Sequence, residues 1–462
     1  MEKLTIHEVL KAVNGELLNY IHDIHDKKIT GISIDSRTVS EGQLFIPIRG
    51  EHFDGHDFIE QSIFNGAIAY LTEKKDIIYP DTNIILVENT IEALQNLASY
   101  YRSKFNIPFI AVTGSSGKTT TKDMIASVLG EKLNVLKTQG NFNNEIGLPL
   151  TVFQLESTHR IAVIEIGMNH TGEIRRLVNI VKPDIAIITN IGLTHIEHLG
   201  SQDNIFKAKR EILETLTRDQ TALLNGDDPF LSTIDNELFK TVFLGIHGNK
   251  LDGKAFDIHS KKMGIDFKYK DLKNLEEEDY SLKLPGVHNV YNSMFAIYIG
   301  KHFGLSKEEI QSGLNHFKPS KMRMDIIHHG GLTIINDAYN ANPDSMKAAL
   351  EVLKNSGNNR KIAILGDMLE MGEWLKTAHL EIGKYVKQLN IDLLIAIGQA
   401  AQYYVEGSIE HGMEKNQALY VKNNKEAIDL LKSILNKGDI ILIKGSRGMK
   451  LEEIVSFLQE RG

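Results

Sequence analysis

Short apolar runs, each closed by glycine, proline or a polar cluster, alternate along the chain with longer helical patterns. That alternation predicts strands feeding helices in α/β units. Near the start, Ile29–Ile34, Gln43–Ile46, Ala67–Leu71 and Asn83–Val87 read as strands, with helices over Phe58–Asn65 and Thr90–Lys104. The opening stretch MEKLTIHEVLKAV reads as the start of an amphipathic helix. Asn106-Ile107-Pro108 marks a boundary, so a small α/β domain is expected over 1–107.

Beyond it, a buried strand runs into the glycine-rich turn Gly114–Gly117, and strands Arg160–Ile164 and Asp184–Thr189 follow. A helix is expected over Ser201–Thr215, then strands Ala222–Asn225 and Thr241–Gly245. Shorter strands come next, with an acidic loop Glu276-Glu277-Glu278-Asp279, then an apolar helix after Leu284-Pro285-Gly286. His316-Phe317-Lys318-Pro319-Ser320-Lys321 reads as a linker, which bounds a central domain at 108–318. Strands Thr333–Asn336, Lys361–Leu365, Leu393–Ile397 and Ile440–Ile443 then predict a third domain, 319–462, of dinucleotide-fold type without G-x-G-x-x-G. The expected fold class is therefore α/β in three domains: a small N-terminal one, a central P-loop ATPase-like parallel sheet, and a Rossmann-like C-terminal one.

Length agrees with several domains, since 462 residues exceeds the roughly 250–300 at which single cores stop growing. A net charge of −8 argues against non-specific nucleic-acid binding. The chain has no cysteine, which excludes disulfides, thiolate zinc sites and cysteine nucleophiles. No apolar signal core and no membrane-length apolar run are present, so the cytoplasm is the expected location.

The chemistry concentrates in AVTGSSGKTTTKDMI, residues 111–125. Gly114, Ser115, Ser116 and Gly117 form a turn whose N–H groups, with the helix opening at Lys118-Thr119-Thr120, make an anion cradle. Lys118 supplies a point charge for outer phosphates, and the Thr119 hydroxyl can reach a Mg²⁺ held on them. Val112 stands where the longer P-loop has its first glycine, so this is the shorter T-G-x-x-G-K-T form.

Glu165 ends a strand beside that turn, placed like the carboxylate that holds Mg²⁺ in other NTPases, and His195 follows the next strand end. The loop Thr138–Gly147 carries Asn141, Asn143, Asn144 and Glu145, costly to bury unless they bind something. Asp35-Ser36-Arg37 suits an anionic ligand, or equally a solvated turn with a local Asp–Arg pair. Arg49-Gly50 through Asp54-Gly55-His56-Asp57 is a second polar loop. The cluster Lys207-Ala208-Lys209-Arg210 reads as a solvated helix face. Asn289 and Asn292 can share a helix face and suit an adenine edge, although a helix cap also explains His288-Asn289.

These residues resemble the Mur ligase family over essentially the whole chain. Family-wide features are Thr113-Gly114-Ser115-Ser116-Gly117-Lys118-Thr119, Glu165, Asn190-Ile191-Gly192-x-x-His195, Lys209, His288-Asn289-x-x-Asn292, Arg323 and Asp337. Other stretches are similar to the branch that adds D-alanyl-D-alanine to UDP-N-acetylmuramoyl-tripeptide. They are Asp35-Ser36-Arg37, the 140–149 loop, Asp337-Ala338-Tyr339-Asn340-Ala341-Asn342-Pro343, Leu365-Gly366-Asp367-Met368-x-Glu370 and Lys444-Gly445-Ser446-Arg447-Gly448. The sister enzyme that adds the third-position diamino acid carries Asp-Asn-Pro-Arg; here Asn340-Ala341-Asn342-Pro343-Asp344 lacks the arginine.

The resemblance implies an ATP- and Mg²⁺-dependent ligase, acting as a monomer on UDP-MurNAc-tripeptide and D-Ala-D-Ala through an acyl phosphate. It implies that Gly114–Thr120 hold ATP phosphates, that Thr119 and Glu165 share one Mg²⁺, and that His195 and an N-carbamylated Lys209 hold a second. Asn289 and Asn292 are implied on the nucleotide side, with Arg323 and Asp337 closing over ATP. Ser36 and Arg37 are implied at the uridine diphosphate end, and Asn141, Asn143, Asn144, Glu145 and Asn340 along the substrate. Two alternatives stand beside this: another acid–amino-acid ligase of the superfamily, and an ATP-driven switch.

Overall fold

The structure is a computed structural model and describes residues 1–19, 28–76, 79–235, 238–262 and 264–460. The first sheet contains β1 (Glu16–Asn19), β2 (Gly31–Ser33), β3 (Gln43–Phe45), β4 (Ala69–Thr72) and β5 (Asn83–Leu86), in the order β1-β5-β4-β3-β2. Only β1 runs antiparallel. Thr5 and Glu8 form a capping box at the head of the helix Ile6–Val13. The Glu8 carboxylate also pairs with Lys104 and accepts from Tyr100 Oη at 3.0 Å, tying that helix to Thr90–Ser103.

The central sheet is nine-stranded, with the order β14-β13-β12-β11-β10-β9-β6-β8-β7. Its strands are β6 (Phe109–Thr113), β7 (Val135–Lys137), β8 (Ile161–Glu165), β9 (Ile185–Ile188), β10 (Thr221–Asn225), β11 (Lys240–Gly245), β12 (Gly253–Lys261), β13 (Gly264–Asp271) and β14 (Glu277–Leu282). The strands β6 to β11 are parallel to one another. Every residue of β6, β8 and β9 is buried, which is why they read as unbroken apolar runs. Val112 is one of them, mid-strand rather than in the turn. Because β6 lies between β8 and β9, the carboxyl ends of these three strands meet at one crevice.

Two expectations change here. The acidic stretch read as a loop is largely strand, since β14 takes in Glu277, Glu278 and Asp279. Opposite charges across the ladder explain it: Lys270 faces Glu277, Lys268 faces Asp279, and Lys270 Nζ reaches Glu277 at 2.7 Å. The helix expected over Ser201–Thr215 ends at Arg210 and continues as a 3₁₀ turn, Glu211–Leu213. Glu211 there accepts from the N–H groups of Gly172 and Arg175, the first turn of helix Glu173–Val181.

The third sheet holds β15 (Asp325–His329), β16 (Leu332–Asn336), β17 (Lys361–Gly366), β18 (Leu393–Ile397), β19 (Ala418–Val421) and β20 (Ile440–Lys444) in the order β15-β16-β20-β17-β18-β19. All but the edge strand β15 are parallel. One apolar cluster runs through all three units, from Leu44 and Leu71 through Ala111 and Ile164 to Ile335 and Leu365. Among the described residues no helix is long and apolar enough to cross a membrane.

Candidate active site between the central and C-terminal domains

β6 ends in the turn that the sequence singled out. A Cβ on Gly114 (φ +149°) would stand 1.9 Å from Thr189 Oγ1, and one on Gly117 (φ +81°) 2.7 Å from Asn292 Oδ1. Backbone conformation and neighbours therefore both demand glycine. Gly117 caps helix Lys118–Leu129, and no side chain satisfies that helix end. The N–H groups of Ser115 and Ser116 instead donate to Asn190, to its carbonyl at 3.0 Å and its Oδ1 at 2.9 Å. The anion cradle is thus the helix start at Gly117–Thr120, with Asn190 stiffening the turn before it.

Around this helix end lies a cleft of about 500 Å³, within the size range of ligand sites. Ser115, Ser116, Lys118, Thr119, Thr120 and Glu165 line one wall; Arg323, Asp337, Tyr339, Asn340 and Lys444 line the other. Lys118 Nζ donates to the Gly114 carbonyl at 2.6 Å. Burial lowers its pKa to about 8, opposed by Glu165 and reinforced by Arg323. Glu165 is 1% exposed. Its Oε1 accepts from Asn143 Nδ2 at 2.8 Å, while its Oε2 is buried without a hydrogen-bond partner. An orphaned carboxylate oxygen and the hydroxyl of buried Thr119 are hard oxygen donors, and they fit Mg²⁺. No group of three His, Asp or Glu among the described residues could hold a metal. A cation here therefore needs phosphate and water oxygens as well, the usual arrangement for Mg²⁺.

His195 lines the cleft at the N-cap of helix Ile196–Leu199, with Nδ1 2.6 Å from Glu370 Oε2. Glu370 comes from the C-terminal domain, and the hydrogen bond from His195 holds its carboxyl below the ordinary range. Lys209 does not lie on a solvated face: it is 1% exposed. Burial and the Lys118 ammonium push its pKa well below that of an ordinary lysine.

Asn289 and Asn292 do share a face. Asn292 Nδ2 donates to Asn289 Oδ1 at 3.2 Å, Asn289 Nδ2 to the Pro285 carbonyl at 2.8 Å, and Thr121 Oγ1 to Asn292 Oδ1 at 3.1 Å. These bonds brace helix Val287–His302 against the P-loop helix. His288 beside them has its pKa lowered to about 4, chiefly by burial, so it is neutral at physiological pH. Asp337 pairs with Lys444 at 2.5 Å.

Of the loop residues, Asn141, Asn143 and Asn144 reach the cleft. The other candidates lie off it. The Glu145 carbonyl accepts from Gln95 Nε2 at 3.2 Å. Arg37 is exposed and makes a two-pronged pair with Asp35, at 2.9 and 2.6 Å, the local arrangement the sequence left open. Ser36 is buried, its carbonyl accepting from Asn65 Nδ2 at 2.8 Å. Several cleft or contact residues went unassigned in the sequence: Asn190, Tyr339, Asn342, Asp344, Glu370 and Lys444. All fall inside the motif stretches quoted above, and only folding shows their partners.

Comparison with known proteins gives the same three-part layout. Residues 28–102 match the Mur ligase family catalytic domain, 112–300 the Mur ligase middle domain, and 322–447 the Mur ligase glutamate ligase domain. The chain is 41% identical to the UDP-N-acetylmuramoyl-tripeptide–D-alanyl-D-alanine ligase of Bacillus subtilis, over 100% of this chain and 99% of that one. It superimposes on a crystal structure of MurF from Acinetobacter baumannii with a TM-score of 0.90 at 31% identity, covering 100% and 99% of the two chains. The MurF ligase of Thermotoga maritima in complex with ADP aligns with a TM-score of 0.84 at 27% identity, covering 94% and 98%. Similarity that runs through all three domains and reaches 41% identity leaves no room for a shared fold alone: the chain belongs to the Mur ligase family.

Proposed function

We propose that this protein is an ATP-dependent ligase that joins D-alanyl-D-alanine to UDP-N-acetylmuramoyl-tripeptide, giving UDP-MurNAc-pentapeptide, ADP and phosphate for peptidoglycan precursor synthesis. The observation that carries the reaction class is one cleft holding the uncapped helix end, Lys118 and the orphaned Glu165 oxygen. The substrates follow from full-length relatives that bear this activity in their names. ATP follows from the neighbour that holds ADP. An ATP-consuming step on a nucleotide-linked precursor belongs in the cytoplasm.

A peptide carboxylate is a poor electrophile. Transfer of the γ-phosphoryl group to it makes an acyl phosphate; the dipeptide amine then attacks the carbonyl, and phosphate leaves. The protein's part is positioning and charge stabilisation. Gly117–Thr120 and Lys118 hold the ATP phosphates, and Arg323 and Asp337 approach from the C-terminal domain. Thr119 and Glu165 would hold one Mg²⁺, and His195 with an N-carbamylated Lys209 a second; their chemistry is neutralisation of phosphate charge. Burial and the Lys118 charge lower the Lys209 pKa, which favours the neutral amine that carbamylation requires. Asn289 and Asn292 lie on the nucleotide side; Asn141, Asn143, Asn144, Glu145 and Asn340 serve the substrate, and Ser36 and Arg37 its uridine diphosphate end. Packing of the C-terminal domain over the cleft keeps water from the acyl phosphate.

The test is phosphate release with UDP-MurNAc-tripeptides carrying lysine or diaminopimelate, each with and without D-Ala-D-Ala. Release that requires both substrates supports the ligase. Release from ATP alone would make the protein a switch.

A further inference from the structure

Arg323 is mounted in an unusual way. It lies between Met322 (φ +64°) and Met324 (φ +52°), two side-chain-bearing residues in the left-handed region that glycine normally fills. Such backbone costs of order 1 kcal/mol or more per residue and persists only where surrounding contacts dictate it. Those contacts are on both sides. The Met324 N–H donates to Asp337 Oδ1 at 3.1 Å, and the Met322 carbonyl accepts from the Tyr339 N–H at 3.1 Å. Asp337 is itself fixed by Lys444, whose Nζ also donates to the Asn340 carbonyl at 2.9 Å. The result is a guanidinium whose carbon sits 3.9 Å from the centre of the Tyr339 ring.

We infer that Tyr339 is a positioning residue that aims the Arg323 guanidinium at the phosphoryl group in transfer. Contact with the ring holds the guanidinium carbon without a hydrogen bond, so its N–H donors stay free. A carboxylate partner would have consumed those donors and cancelled the charge. Arg323 makes no side-chain hydrogen bond or ion pair among the described residues, lines the cleft, and lies close enough to Lys118 to lower that lysine's pKa. Tyr339 thus holds an unspent cation beside the P-loop lysine. Its place within Asp337-Ala338-Tyr339-Asn340 couples that hold to the Asp337–Lys444 pair.

This rests on the ligase function proposed above. Steady-state ligation is measured for Tyr339→Phe and Tyr339→Leu, alone and with Arg323→Ala, with melting temperature as the control for folding. Tyr339→Leu is expected to lower kcat about tenfold, the scale of a partly desolvated cation–π contact, with KM for the peptide acceptor unchanged. Tyr339→Phe keeps the ring and retains most of the turnover. On the Arg323→Ala background, Tyr339→Leu adds nothing. Wild-type turnover in Tyr339→Leu, equal losses in the Phe and Leu variants, or multiplying losses with Arg323→Ala would each overturn the role. Absence of ligation by the wild-type protein would instead remove the proposed function on which it rests.

Discussion

Asp344, in the first turn of helix Pro343–Asn355, is seated so tightly on Gly192 that a Cβ at Gly192 would lie 2.1 Å from its Oδ2. The two residues belong to different domains. Burial raises the Asp344 pKa, Lys347 opposes that, Asp228 reinforces it, and a hydrogen bond from the Leu193 N–H opposes it again. Asn342, two residues earlier, donates from Nδ2 to Ser116 Oγ of the P-loop turn at 3.1 Å. The C-terminal domain is thus registered against the cradle at atomic contact.

Gly192→Ala should push the Asp344 carboxylate off this seat and loosen the register of that domain on the P-loop. Overpacking of this kind costs about 1–3 kcal/mol, so kcat should fall about fivefold or more. Adding Asp344→Ala removes the obstacle and should recover part of the loss. A Gly192→Ala enzyme with normal turnover would show that this contact does not form during the reaction.

Lys118→Ala should abolish ligation, with a loss of at least about 1,000-fold, because it removes the cation at the phosphates from a buried site. Unchanged melting temperature would separate this from misfolding. Near-normal turnover would sink the assignment of the P-loop as the phosphate site.

Lys209→Ala should be inactive and partly rescued by short carboxylic acids such as acetate, which replace a carbamate's oxygens. Titrating the acid against ligation rate reads this directly. A fully active Lys209→Ala enzyme would remove the carbamyl role.

Acid should loosen the N-terminal domain through Glu8. Burial raises its pKa, but hydrogen bonds from Lys104, Thr5 and Tyr100 more than reverse this and bring it to about 2, from 4.5. A depressed carboxyl contributes stability that is present above 4.5 and lost as pH falls towards 2. Glu8→Gln should therefore cost about 2 kcal/mol near neutral pH, with the gap to wild type closing through that window. A gap that is constant with pH would show that the Glu8 charge is not responsible.

The strands and the P-loop were legible because their signals are local. Unbroken apolar runs such as Ile161–Glu165 report burial on both faces, and Gly-Lys-Thr after a strand reports a helix end. The acidic run at 276–279 misled because its partners, Lys268 and Lys270, lie on another strand. Lys209 misled for the same reason, since only tertiary packing buries it. Arg323 stood among the candidates read from the sequence, whereas the Tyr339 ring in contact with it did not. Contacts such as Gly192 with Asp344 and His195 with Glu370 join separate domains, and no spacing in the sequence encodes them.

The proposed reaction activates the acceptor carboxylate as an acyl phosphate within this cleft. UDP-MurNAc-tripeptide labelled with ¹⁸O in the reacting carboxylate tests it most directly, with the released phosphate read by mass spectrometry. In an acyl phosphate that carboxylate oxygen bridges to phosphorus and departs with it. Phosphate from ligation should therefore carry one labelled oxygen, and label-free phosphate formed alongside the pentapeptide would contradict the mechanism.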